Sequence, residues 1–95
     1  MLTIESHFRG ILMEVHKRYN AQVSFKTLQT VVKGKAEFYT QRGELIALTL
    51  TAKSTQIDIR LHNSQRQCVY TDTFKGEPAK IDRLFNAINR YILKN

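Results

Sequence analysis

The chain holds one cysteine and one proline among its 95 residues. A lone Cys68 excludes an intramolecular disulfide and leaves no cysteine cluster for a structural metal site, so the expected compartment is reducing and intracellular, the cytoplasm in the simplest case. No stretch approaches the roughly 18 apolar residues needed to cross a bilayer. The opening Met-Leu-Thr-Ile-Glu-Ser-His-Phe-Arg-Gly has no charged start followed by an apolar run, so no membrane partner is expected. Gly-rich phosphate loops and Gly-x-Ser-x-Gly elbows are missing as well. His7, His16 and His62 form no ligand spacing with each other or with Cys68, so neither a metal nor a cofactor is expected. Cys68 lies in a strand pattern beside Val69 and Tyr70, where a thiol reads as a small buried hydrophobe and not as a nucleophile. Asp58 and Asp72 read as separate strand acids that pair with Arg60 or Arg66 across a sheet. With no acid, base and nucleophile brought together by spacing, the chain is not expected to be an enzyme.

Acid is scarce too. Eight Asp and Glu against fifteen Lys and Arg leave a net charge of +7 and a pI near 9.9. That surplus favours a polyanionic partner, RNA or DNA first and an acidic protein surface next. At this length the chain supports one hydrophobic core, so residues 1–95 are expected to form a single domain.

What is present is a change of hydrophobic period. Ile4, Phe8, Ile11, Leu12, Val15 and Tyr19 recur on one helical face, and Asn20 is a reasonable stop. From Val23 to Phe74 the chain turns β-branched and aromatic. Ile57, Ile59 and Leu61 alternate with Gln56, Asp58, Arg60 and His62, which predicts a strand with one wet face. Glu44 to Ala52 carries apolar residues on both sides and reads as a central strand. Turns are expected at Lys33-Gly34-Lys35, Gln41-Arg42-Gly43, Lys53-Ser54 and Asn63-Ser64-Gln65. They delimit strands near 22–32, 35–40, 44–52, 55–62 and 66–74. Gly76-Glu77-Pro78 then opens a last helix, with proline at a tolerated first-turn position. The expected fold is α+β: an N-terminal helix, a four- to five-stranded antiparallel meander and a C-terminal helix, with both helices packed on one face of the sheet.

The last helix carries its cations in a line. Lys80, Arg83, Ala87, Arg90 and Lys94 fall within an arc of roughly 80°, apart from the apolar arc of Ile81, Leu84, Phe85, Ile88, Tyr91 and Ile92. No acid of the helix enters the stripe, and Leu93 stands alone among polar neighbours. Lys33, Lys35, Lys53 and Arg60 extend the basic surface from turns and strand. Tyr39 and Tyr70 are expected to close the edge of the core, and Phe25, Phe38, Phe74 and Phe85 to lie within it.

The helix-sheet-helix order resembles the small Alu-RNA-binding subunits of the signal recognition particle, whose α-β-β-β-α domains bind RNA. The segment from Cys68-Val69-Tyr70 into the helix around Ile81-Asp82 is loosely similar to theirs. Over the final strand and helix the chain also resembles the ribosome hibernation factors. It has one or two strands more than the first family and lacks the opening strand of the second, so no residue is carried over.

The expected function is a small basic protein that binds RNA or single-stranded DNA through backbone phosphates. Lys80, Arg83, Arg90 and Lys94 would form the main contact, with Lys33, Lys35, Lys53 and Arg60 beside them. The alternative is a protein-interaction module: a homodimeric adaptor, or an inhibitor of viral or mobile-element type, docking on an acidic partner. Leu45 and Ala47, on the second face of the central strand, are its candidate interface.

Overall fold

A computed structural model of the protein describes the backbone of residues 4–94 and the side chains of residues 4–92. Helix α1 runs Ile4–Tyr19, and strands β1 to β5 run Gln22–Thr27, Val32–Tyr39, Leu45–Ala52, Ile57–His62 and Cys68–Phe74. Helix α2 runs Pro78–Lys94. Phe8, Ile11, Leu12 and Val15 give α1 its buried stripe. The opposite side is supported by the i, i+4 pairs Glu5–Arg9 and Glu14–Arg18. Asn20, at φ 54°, ends the helix in the left-handed conformation that asparagine tolerates. Just beyond it the Ala21 carbonyl accepts a hydrogen bond from His16 Nδ1 at 2.8 Å.

The five strands form one sheet in the order β1-β2-β3-β4-β5, and every pairing is antiparallel. The first hairpin is not where the Lys-Gly-Lys spacing predicts it. The chain reverses at residues 28–31, closed by Leu28 N–H donating to the Val31 carbonyl at 2.8 Å. Gly34 lies inside β2, opposite Phe25 and Leu50. Its reason is packing and not a turn. A Cβ at Gly34 would stand 2.6 Å from Phe8 Cζ and 2.8 Å from Leu12 Cδ1, so the missing side chain lets α1 sit against the sheet. Lys33 and Lys35 are therefore strand residues.

Alternation sorts the sheet into two faces. Ala36, Phe38, Ile46, Leu48, Leu50, Ile57, Ile59, Leu61 and Phe74 point to the helices and are buried with Leu84, Phe85 and Ile88 of α2. Each large side chain among them contributes about 1.5–3 kcal/mol of transfer free energy, which holds both helices to the same face. The helices also touch each other. Tyr19 donates a 2.6 Å hydrogen bond to Asn89 Oδ1, and the Arg18 guanidinium lies 4.4 Å from the centroid of Phe85.

Two residues expected in the core lie outside it. Phe25 points to the helix side, but β1 is the sheet edge and α1 packs mainly over β2, so the ring is 64% exposed. Cys68 is exposed, not core, because a register shift at Leu61/His62 disturbs the edge strand where it begins. Its thiol lies 3.4 Å from the Tyr70 carbonyl.

Candidate nucleic-acid interface

The face of the sheet turned away from the helices is uncovered, and register fixes what it displays. One cross-strand row reads Lys26, Lys33, Thr51, Asp58, Thr73, and the next reads Ser24, Lys35, Thr49, Arg60, Thr71. A third holds Gln22, Glu37, Ala47, His62 and Cys68, and Tyr39 pairs with Leu45 beyond it. With strands about 4.8 Å apart, Lys35 and Arg60 stand about 10 Å from each other across Thr49. The threonines between them are short, so nothing rises above the cations in the middle of the face. Tyr39 is 69% exposed at its rim and does not close the core. Tyr70 is half-buried against it.

Two acids temper this face. Glu37 lies 3.8 Å from Lys35, and Asp58 lies 3.1 Å from Lys53 at the β3–β4 turn. The lysine hydrogen bond comes first among the causes that hold the Asp58 carboxyl below its ordinary range. Lys26, Lys33 and Arg60 make no ion pair among the described residues. Lys26 is set directly opposite Lys33. Like charges in that position destabilise a sheet, so the fold carries this pair at a cost. Lys26 is the cation that sequence reading missed. Its signal was present in the alternation Gln22, Ser24, Lys26, but a hairpin placed at Gly34 hides the pairing.

The stripe on α2 is built differently. Its acids are Asp72 of the sheet and Glu77, just before the helix and 3.5 Å from Lys80 Nζ. Asp72 lies on the helix-facing side of β5, and Lys80 Nζ approaches it at 3.3 Å while donating to the Thr73 carbonyl at 2.7 Å. Arg83 reaches the same carboxylate at 4.0 Å, and the Tyr70 hydroxyl donates to it at 3.0 Å. Burial pushes the Asp72 carboxyl up, but the Thr73 N–H, the Tyr70 hydroxyl and the Lys80 ammonium together hold it below its ordinary value. Burial and this carboxylate push the Tyr70 phenol up to about 12. Asp72 and Asp58 thus pair with lysines outside the arginines expected for them. Lys80, only 27% exposed, is a structural cation. Arg83 and Arg90 are exposed, and the side chain of Lys94 lies outside the described residues, as does that of Leu93.

The eight expected contact residues therefore do not form one surface. Lys33, Lys35 and Arg60 lie on the open sheet face with Lys53 at its rim, and Lys80, Arg83 and Arg90 belong to the helix layer behind the sheet. Leu45 and Ala47 sit half-buried on the open face near Tyr39. Comparison with protein-family models, curated proteins and solved structures finds no match to this chain.

Proposed function

We propose that the protein binds single-stranded nucleic acid on the open face of its sheet. The carrying observation is that Lys26, Lys33, Lys35 and Arg60 converge on this uncovered face, with three of the four free of any ion pair among the described residues. Flexible cations over a floor of threonines suit phosphates, and Tyr39 at the rim offers a ring on which a base can stack. A flat, open surface suits a strand whose phosphates can conform to it better than it suits the cylinder of a duplex. This reading keeps the class expected from charge and moves the main contact from α2 to the sheet.

The test is anisotropy of labelled single-stranded RNA, single-stranded DNA and duplex at about 50 and about 200 mM salt. Four phosphate contacts give a slope near −3 in log K against log salt, or about a 50-fold loss across that interval. Changing Lys33, Lys35 and Arg60 together to glutamine is expected to bring the slope below about 1. Affinity that is flat with salt, or unaltered in the triple variant, overturns the proposal.

A further inference from the structure

We propose that the protein forms a twofold dimer through its β1 edge, joining two sheets into one of ten strands. The inference does not rest on nucleic-acid binding. Sheet order leaves β1 and β5 as the two edges. The β5 edge is blunted by the register shift at Leu61/His62 and by the Asp72–Lys80 pair beside it. The β1 edge carries one such device only, the charge of Lys26. It pairs with β2 in unbroken register over six residues, contains no proline and has Lys26 as its one charge. Its outer row of backbone donors and acceptors is a template for another extended strand.

Gln22, Ser24, Lys26 and Thr27 are exposed along that edge, and two large apolar side chains are exposed with them. Phe25 is 64% exposed and Met13 of α1 is 68% exposed. They flank a groove of about 300 Å³ that reaches in to Phe8, Leu12 and Val23. The charges at its mouth, Glu5 and Arg9, neutralise each other at 3.0 Å. On a chain of net charge +7, the helix side of this edge is a strip with no net charge, although Lys26 stands on its other face.

Self-pairing also matches residue by residue. An antiparallel ladder with its twofold axis at Ser24 sets Phe25 against the partner's Val23, an aromatic and β-branched pair. It sets Lys26 against the partner's Gln22, whose neighbour in the row is the partner's Glu37. The lysine that faces Lys33 within its own chain thereby has an acid about 10 Å away across the interface, one that Lys35 also approaches at 3.8 Å. Met13 lines both the groove that holds Phe25 and the one that holds Ser24, so it sits level with the axis. With α1 packed mainly over β2, the two α1 helices stand three strand spacings apart, about 14 Å, against 8–10 Å for helices in direct contact. Phe25 and Met13 from each copy fill that gap. A β1-to-β5 pairing would instead be head-to-tail and open-ended.

Sedimentation at about 100 µM protein and about 500 mM salt, where charge is screened, is expected to give twice the 11.1 kDa chain mass. Phe25→Lys and Met13→Lys are each expected to give the monomer with unchanged circular dichroism, since both sites are exposed. Register is tested in a Cys68→Ser background. Ser24→Cys places two thiols opposite each other, with Cα atoms about 4.5–5.5 Å apart, and oxidises to a covalent dimer. Gln22→Cys does not, because its counterpart is Lys26. A wild-type monomer under these conditions overturns the proposal. So does a dimer that survives Phe25→Lys and is not trapped by Ser24→Cys.

Discussion

Gly34 and Asp72 show how much rests on single positions that look ordinary in the sequence. A methyl group at Gly34 has no room against Phe8 and Leu12. Gly34→Ala is expected to lower stability by about 1–3 kcal/mol, measured by urea unfolding, because α1 has to lift. Asp72 is the acid on which Lys80, Arg83 and the Tyr70 hydroxyl converge. Asp72→Asn leaves the Lys80 ammonium with half its compensation and is expected to cost about 2 kcal/mol. The carboxyl is held below its unfolded value, so its stabilisation is complete above the ordinary aspartate range and is lost as pH falls through the lower folded value. Acid unfolding followed by circular dichroism is expected to lose part of its slope below about pH 4 in the asparagine variant. Neither role is written locally. A glycine between two lysines has the signature of a turn, and only the placement of α1 shows that it is a gap for two side chains. Of the two acids that answer the α2 stripe, Glu77 stands at helical spacing from Lys80, but Asp72 lies on another element, beyond the reach of that spacing.

At the scale of elements, periodicity carries further. The 3.6-residue period locates α1 and α2, and the alternation from Ile57 to Leu61 sets the face of β4 correctly. Asp58, Arg60 and His62, expected to be wet on β4, are the residues the register places on the open face. What periodicity cannot show is which strand is an edge, and that decides the exposure of Phe25 and Cys68. Strand ends moved for the same reason: the β1–β2 turn at residues 28–31 holds no glycine or proline to announce it. Gly10, by contrast, is a simple weakness of α1. It is exposed, mid-helical and has nothing within 4 Å of an added Cβ. Gly10→Ala is expected to add about 0.5–1 kcal/mol, read as a shifted urea midpoint with unchanged slope.

For the whole molecule, the sheet is a wall between two sets of cations. A single strand lying on the open face is not within reach of Arg83 and Arg90 on the other side of the core. Replacing those two arginines with glutamine is expected to leave the salt slope of single-strand binding within about 1 of the wild-type value. A larger change places the contact on α2 as the charge pattern alone suggests. Net charge was legible from composition. Its division between two faces was not, because one residue of register moves every strand cation to the other side.

The meander order has a mechanical consequence as well. Each strand is bonded only to its neighbours in sequence, and the two ends of every hairpin lie side by side. Five strands of alternating direction set the start of β1 and the end of β5 at opposite ends of the sheet, so tension between the helices pulls along the strands and loads several hydrogen bonds together. Failure starts at the edge strands, and β3, bonded on both sides at the centre of the sheet, is the last to let go.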